Sequence, residues 1–188
     1  MNLDKCIQTR RSIRNFSDKK VGNEQIKEII KAGIRAPSGG NYQPWYFVVV
    51  QNEQTIENMR KIINPNPNIK ISKYALLFNA KTVISVCVDL TKTYLNSKCS
   101  DEIDKLLDSV EIISVGACIE NMLLRIHDLG LGACWCRVGY TVRKPFEELL
   151  DIRSPYYLVA NIALGYPMEN IDRPNPRKDL DSVYRIKY

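Results

Sequence analysis

The chain has 188 residues, of which 45% are apolar and 26% charged, which is the usual balance of a globular domain with a hydrophobic core. We therefore expect residues 1–188 to form one domain. No apolar run approaches the roughly 20 residues that a membrane-spanning helix needs, which argues against an integral membrane protein. The net charge of +6 leaves three anionic partners to consider: nucleic acid, a membrane surface and a small ligand.

In chain order, hydrophobic periodicity and turn residues predict alternating helices and strands. Helices are predicted at 2–9, 23–36, 53–63, 109–130 and 141–150. Strands are predicted at 46–51, 82–90, 132–138 and 156–167. Asn23 and Thr141 are the expected helix caps. Strand 46–51 is continuously apolar and is expected to be buried on both faces. This alternation indicates an α/β or α+β fold without specifying a parallel sheet.

The cysteines and the N-terminal residues indicate in which cellular compartment the protein is expected to reside. Six cysteines stand at 6, 87, 99, 118, 134 and 136, which is not the dense framework of a small secreted domain. The first residues, MNLDKCIQTRR, lack the apolar core of a signal peptide. We therefore expect reduced thiols and a cytoplasmic protein. Cys134 and Cys136 share a face of a predicted strand, an arrangement that does not favour a disulfide.

A basic segment, RRSIRNF at 11–17, follows Arg10 directly. Guanidinium groups offer paired donors that match phosphate oxygens, and a serine hydroxyl adds a neutral donor. The segment therefore suits a phosphate, with a solvated basic turn as the alternative. Neither GxGxxG nor GxxxxGK[ST] occurs, so neither a Rossmann dinucleotide site nor a P-loop is predicted. A compact cluster of arginines such as this one suits one small anion better than a long polyanion such as nucleic acid.

A second loop, PSGGNYQPW at 37–45, combines two glycines with several polar side chains and a large ring. Glycines let a backbone approach a ligand closely because they have no Cβ. Ser38, Asn41 and Gln43 could then contact that ligand. The alternative is that turn chemistry alone explains the composition.

Conventional catalytic residues are not apparent in the sequence. His127, the single histidine, falls on the long predicted helix without a Ser-His-Asp or Cys-His context, and we interpret it as structural. Zinc would need more ligands at recognisable spacing, so no metal site is expected. An enzyme of this kind would need a cofactor that brings its own chemistry.

Four segments, in their order and spacing, resemble the nitroreductase family of flavin enzymes. They are RRSIRNF at 11–17, IKAGIRAPSGGNYQPWYFVVV at 30–50, SVGACIENMLLRIHDLGLGACW at 114–135, and ALGYPMENIDRPNPRK at 163–178. The resemblance implies an α+β fold with a central mixed β-sheet flanked by helices. It also implies an intertwined homodimer with two FMN molecules, each in a cleft at the subunit interface.

The resemblance also assigns residues to the FMN site. The phosphate would be bound from the basic segment and the C-terminal tail, by Arg10, Arg11, Ser12, Arg177 and Lys178. Arg14 would lie nearer the flavin pyrimidine edge, where a cation stabilises the negative charge of reduced flavin. Four residues would reach the flavin from the partner subunit: Pro37, Ser38, Gly39 and Asn41. Three would line the ring with backbone groups: Ala133, Cys134 and Trp135.

The implied activity is that of an FMN-dependent NAD(P)H oxidoreductase with a ping-pong mechanism. NAD(P)H gives hydride to the flavin and leaves, and a nitroaromatic, quinone or similar acceptor then enters the same cleft. Two alternatives stay open. One is a flavin enzyme of the same fold with another task, reductive dehalogenation or flavin fragmentation. The other is a basic nucleic-acid-binding protein, which would not carry bound flavin.

The sequence departs from the family pattern in several places. Glu120 stands where a glutamine is usual, and Arg125 and Ile126 replace small residues on the long helix. Residues 91–108, where substrate-covering elements vary in this family, match no recognisable pattern. The sequence chooses neither between NADH and NADPH nor among electron acceptors.

Overall fold

The computed structural model of the protein describes residues 1–64, 79–92, 110–168 and 176–187. Its α-helices are α1 (Leu3–Thr9), α2 (Asn23–Gly33), α3 (Glu53–Ile63), α4 (Val110–Asp128) and α5 (Tyr140–Leu149). Its strands are β1 (Trp45–Val50), β2 (Thr82–Asp89), β3 (Gly132–Arg137) and β4 (Tyr156–Gly165). Single 3₁₀ turns lie at Gly39–Asn41 and Leu180–Ser182. The predicted helices and strands are therefore all present within the described ranges.

The four strands form one sheet in the order β1-β2-β4-β3, and each neighbouring pair is antiparallel. A parallel bridge joins Ser12 to Ala133 at the start of β3. The pairing is thus antiparallel between the strands and parallel at this bridge. The predicted α+β class, with a central sheet flanked by helices, is confirmed.

Helices cover both faces of the sheet and produce two clusters of buried residues. α2 and α4 pack on one face, against alternate residues of the central strands: Ile84, Val86, Val88, Ala160, Ile162 and Leu164. α3 and α5 pack on the other face, whose buried set includes Phe16, Ile56, Met59, Val83, Phe146, Leu158 and Ala163. Because residues two apart in a strand share a face, β2 and β4 supply both clusters.

A β-bulge interrupts this alternation in β4. Val86 pairs with Ala160 and Cys87 pairs with Leu158, so Val159 has no opposite residue on β2. Leu158 and Ala160 are two residues apart, yet they belong to the clusters on opposite faces. The extra residue therefore changes which face each preceding side chain of β4 occupies.

Three local predictions are wrong. β1 is not buried on both faces: Tyr46 is 41% exposed and Val49 is 38% exposed. The reason is that β1 is an edge strand, beyond the central strands that the helices cover fully. Asn23 and Thr141 lie within the first turns of α2 and α5, whose N-caps are Gly22 and Gly139.

α4 is buried on several sides, as its apolar pattern predicts. Its buried residues are Glu111, Ser114, Val115, Cys118, Ile119, Met122, Leu123 and Ile126. Ile126 is 1% exposed within the core, and Arg125 forms ion pairs with Glu28 and Asp128. The departures from the family pattern at Ile126 and Arg125 therefore serve core packing and a surface ion-pair group. No helix in the described ranges is long and apolar enough to cross a membrane.

The crossing of α2 and α4 is close enough to require a glycine. A Cβ at Gly33 would lie 2.7 Å from Met122 Cγ and 3.0 Å from Cys118 Sγ. We expect Gly33→Ala to lower the free energy of unfolding by about 1–3 kcal/mol, because the core would be overpacked. The matched control is Gly116→Ala inside α4, where a Cβ would meet nothing within 4 Å. It should stabilise the helix by about 0.5–1 kcal/mol. Urea unfolding measures both, and equal effects would contradict the close crossing.

Candidate functional site

The basic segment lies across the adjacent ends of β3 and β4. The Ile13 N–H donates to the Ala133 carbonyl over 2.8 Å, next to the Ser12–Ala133 bridge. Further along, the Ser17 N–H donates to the Tyr166 carbonyl over 2.9 Å. Phe16, between these contacts, is 1% exposed. The backbone of the segment is therefore fixed on the sheet, and it is not a loose solvated turn.

Two glycines let the segment approach the strands. A Cβ at Gly132 would lie 2.6 Å from Ile13 Cγ1, closer than non-bonded carbons approach. A Cβ at Gly165 would lie 3.1 Å from Phe16 Cβ, which is also tight. The glycine that begins β3 and the glycine that ends β4 thus make room for Ile13 and Phe16.

Arg10 sits where α1 ends against α4. Its N–H donates to the Cys6 carbonyl over 2.9 Å, and its Nε lies 3.4 Å from Glu120 Oε1. The preceding Thr9 forms a 2.7 Å hydrogen bond between its hydroxyl and His127 Nε2. Burial lowers the pKa of His127, and the nearby positive charge of Arg10 lowers it further, while Asp128 opposes the shift. His127 thus has the structural role predicted for it, and it anchors the residue before Arg10.

Arg14 is partly buried beside the Cys134 thiol. Its Nη1 lies 3.4 Å from the Ser12 carbonyl, and its buried Nε has no hydrogen-bond partner within the described ranges. A hydrogen bond from Cys136 lowers the pKa of Cys134 to about 7, with further contributions from the charge and hydrogen bonding of Arg14. Burial of Cys134 acts in the opposite direction. The Arg14 guanidinium, whose Nε–H has no acceptor among the described residues, therefore lies next to residues 133–135 of β3.

The glycine-rich loop is attached to the first turns of α4. The Gly39 N–H donates to Ser114 Oγ over 3.2 Å, and that hydroxyl donates to the Val110 carbonyl over 2.7 Å. A Cβ at Gly39 would lie 2.3 Å from Val110 Cγ1. Gly40 has φ of 54°, and Asn41 shares this left-handed conformation with φ of 56°. Position 39 therefore needs glycine because of the close approach to Val110, and position 40 favours glycine because of its left-handed backbone conformation.

The structure brings only part of the predicted set together. Ser12 meets Ala133 and Arg14 lies beside Cys134 at the start of β3, whereas the contacts described for Arg10 are with α1 and α4. The hydrogen bonds described for Ser38, Gly39 and Asn41 instead join residues of their own loop and α4. Pro37 is exposed at the start of that loop, and Arg177 and Lys178 are exposed on the C-terminal tail. The predicted substrate-covering segment 91–108 lies almost wholly outside the described residues.

Two contacts of the site could not be assigned from sequence reasoning. Ser114 fixes the glycine-rich loop, and Glu120 pairs with Arg10. The departure of Glu120 from the family pattern was a signal for the second contact. Nothing in the sequence indicates the contact of Ser114, because a serine within an apolar helix suggests no particular role until its partner in the loop is known.

Two cavities among the described residues lie away from the basic segment and the glycine-rich loop. One, of about 390 Å³, is lined by residues of α1, α2 and α4 that include Cys6, Ala32 and Leu124. Another, of about 370 Å³, lies beside α5 and is lined by residues that include Lys144 and Ile152. Neither is lined by a predicted site residue. Within the described ranges, no group of three histidine, cysteine or acidic residues is arranged to hold a metal ion.

Comparison with known proteins gives consistent results. The sequence model of the nitroreductase family matches residues 7–166. A protein of Archaeoglobus fulgidus described as an NADH dehydrogenase/NAD(P)H nitroreductase is 31% identical, over 98% of this chain and 97% of its own length. An iodotyrosine deiodinase of Daphnia pulex is 43% identical, but over only 60 residues, which are 32% of this chain.

Solved structures share the fold along the whole chain. A protein of Clostridium acetobutylicum described as an NADH oxidase is 30% identical with a TM-score of 0.76, covering 97% of this chain and 99% of that chain. A protein of Desulfovibrio desulfuricans described as a nitroreductase in complex with FMN is 27% identical with a TM-score of 0.75, covering 100% of this chain and 98% of that chain.

The electrostatics around Cys134 predict an unusually acidic thiol. In flavin-free protein, alkylation of Cys134 should rise with pH around a midpoint near 7, because its pKa is lowered to about 7. Cys136→Ala should raise that midpoint by removing the main hydrogen bond, and Arg14→Gln should raise it by removing the charge. Peptide mapping after iodoacetamide pulses gives the midpoint for each cysteine.

The same experiment contains its own controls. Burial raises the pKa of Cys87 and Cys118 to about 12, so both should stay unlabelled through this pH range. Unchanged Cys134 midpoints in both variants would show that Cys136 and Arg14 do not set the acidity of the thiol.

Proposed function

The chain belongs to the nitroreductase family, and from this membership we propose that it is an FMN-dependent NAD(P)H oxidoreductase. The observation that carries the proposal is the seating of the basic segment on β3. It places Ser12 and Ile13 on Ala133 and Arg14 beside Cys134, and Arg10 and Arg11 directly precede these residues in the chain. The relatives described as an NAD(P)H nitroreductase and as an FMN complex support the same assignment.

The donors of this region fit the phosphate of FMN. Arg10, Arg11 and Ser12 provide two guanidinium groups and one hydroxyl on consecutive residues. A phosphate monoester carries nearly two negative charges and accepts several charge-assisted hydrogen bonds, for which these groups are well suited. Within the described ranges, Glu120 is the carboxylate that ion-pairs with this set. The net charge of the region is therefore positive, as a phosphate site requires.

The flavin ring would lie on the other side of the segment. Arg14 provides a cation for the pyrimidine edge, and its unpartnered buried Nε is a donor that a ligand could satisfy. Ala133, Cys134 and Trp135 would line the ring with backbone groups. The bound FMN would supply the hydride-accepting and electron-donating chemistry. The protein would hold it in position and stabilise negative charge on its reduced form.

We propose that NAD(P)H binds in the cleft first and leaves, and that a nitroaromatic, quinone or similar acceptor then binds in the same cleft. In both half-reactions the chain would orient the flavin and the substrate relative to each other and would stabilise the charge on the flavin. Reductive dehalogenation is the alternative with an observation in its favour, the match to a deiodinase. That match covers a third of the chain, whereas the oxidoreductase relatives cover nearly all of it.

We propose further that residues 1–188 act as one cytoplasmic domain and that the active form is a homodimer. Large apolar side chains on α1 and α4 support the dimer: Leu3 is 65% exposed, Ile7 55% and Ile113 73%. Such exposure on two adjacent helices is typical of a covered surface. Pro37, Ser38, Gly39 and Asn41 would then reach the flavin of the partner subunit. Arg177 and Lys178 would complete the phosphate site.

FMN binding tests the proposal directly. The purified protein should bind FMN and become yellow, and Arg10→Ala should weaken FMN binding tenfold or more. A lost charged hydrogen bond costs about 1.5–3 kcal/mol. Riboflavin lacks the phosphate, so its affinity should change much less. Quenching of flavin fluorescence measures both dissociation constants.

The control is Arg153→Ala, which removes an exposed arginine that pairs with Asp151, away from the site. It should leave both affinities unchanged. A protein that binds no FMN would exclude the proposed function. Equal losses of FMN and riboflavin in the Arg10 variant would exclude Arg10 as a phosphate ligand.

Subunit complementation tests the shared site. A chain with Arg10→Ala and Arg14→Ala is mixed with a chain carrying Ser38→Ala and Asn41→Ala, and the subunits are exchanged. In each mixed dimer one site is wholly native, so about a quarter of all sites should regain activity. NAD(P)H oxidation with a quinone acceptor gives the readout. An active, flavin-loaded monomer in sedimentation would show that the site is not shared.

A further inference from the structure

Glu120 is the residue through which α4 contacts the guanidinium of Arg10. Its Oε1 lies 3.4 Å from Arg10 Nε. The Arg10 side chain is 23% exposed and the Glu120 side chain is 47% exposed, so the pair is open to solvent on the carboxylate side. An acidic residue in direct contact with a proposed phosphate ligand needs a physical explanation, because it adds negative charge where an anion must bind.

The contact engages one particular edge of the guanidinium. Arginine has five N–H donors arranged as a fixed planar fork, one on Nε and four on the two Nη atoms. Glu120 lies on the Nε side as an ion-pair partner at 3.4 Å, longer than a usual charged hydrogen bond, and this contact does not involve the Nη pair. A phosphate oxygen pair matches that remaining edge. The carboxylate is therefore placed to orient Arg10 without occupying the donors that a phosphate would use.

The backbone of Arg10 is held on the same helix face. Thr9 is hydrogen-bonded to His127 over 2.7 Å, and Arg10 N–H is bonded to the Cys6 carbonyl. Glu120 and His127 are seven residues apart, about two helical turns, so both project from one side of α4. One contact fixes the end of α1 and the other fixes the arginine side chain, which restricts the positions open to the guanidinium.

On the basis of the proposed function, we propose that Glu120 is a positioning residue that acts on the flavin phosphate through Arg10. Its carboxylate presents the Nη edge of Arg10 to the phosphate, and its charge opposes that of the phosphate and reduces the affinity. Orientation and charge thus act in opposite directions. The result is a phosphate site that is geometrically defined but binds FMN more weakly than the same geometry without the carboxylate charge would.

Two substitutions separate these effects. Glu120→Gln keeps an oxygen that can accept from Nε and removes the charge, so FMN should bind about threefold to tenfold more tightly. Glu120→Ala removes the acceptor as well, so FMN should bind several-fold less tightly than in the glutamine variant. Riboflavin should bind equally in all three proteins, because it has no phosphate. Fluorescence titration at one fixed salt concentration measures the dissociation constants.

Two controls show whether the effect passes through Arg10. In an Arg10→Ala background, the difference in FMN affinity between the glutamine and alanine variants at position 120 should disappear, because no guanidinium is left to orient. Glu57→Gln removes an equally exposed glutamate that pairs with Arg60 on α3, and should leave both flavins unaffected. It tests whether a change in net charge alone alters binding.

The outcomes are distinct. Wild-type protein that binds no FMN would overturn the proposed function and this inference with it. If wild type binds FMN and Arg10→Ala weakens it selectively, but Glu120→Gln changes nothing, the inference alone is wrong. Equal FMN affinity in the alanine and glutamine variants would also overturn it, because no orienting contribution would remain. Parallel changes for FMN and riboflavin would show a general structural effect and overturn it as well.

Discussion

The hydrogen bond from the Ile13 N–H to the Ala133 carbonyl, with the adjacent Ser12–Ala133 bridge, is the contact on which the site depends. Without it, the middle of residues 10–14 would lose its attachment to the sheet, in a stretch where like charges are crowded together. Ile13 and Phe16 supply the apolar contacts that hold the segment, and Gly132 and Gly165 make room for them. Apolar packing thus fixes in place a cluster of cations that would otherwise repel one another.

α4 is the second element that organises the site. Its first turns hold the glycine-rich loop through Ser114, its middle contacts Arg10 through Glu120, and its last turn holds Thr9 through His127. Burial of this helix on several sides, including the close crossing at Gly33, gives these contacts a rigid support. Two loops that are distant in sequence are therefore positioned by one helix, although they do not contact each other through the hydrogen bonds described.

Much of this organisation could be predicted from the sequence, because helix and strand periodicities are local signals. The long helix at 109–130 and the strand at 82–90 are predicted for that reason, and they correspond to α4 and β2. β1 was misjudged since an apolar run does not show whether its strand lies at the edge of a sheet. The helix caps were displaced by one or two residues because glycines took those positions. The basic segment and the glycine-rich loop are recognisable, but the contact of Arg10 with Glu120 and that of Gly39 with Ser114 are tertiary contacts that no spacing encodes.

The bulge at Val159 has a consequence for how the chain tolerates changes in length. Ahead of it, the Leu158 N–H donates to Glu147 over 2.9 Å, and the Tyr157 ring lies 3.8 Å from the guanidinium carbon of Arg143. The face assignment that the extra residue creates places Leu158 in the cluster that α3 and α5 cover. Deleting one residue here would exchange the two helix-covered faces at the start of β4, whereas an insertion in a surface turn would not. The middle of β4 is therefore a place where natural variants should keep their residue count even as side chains change.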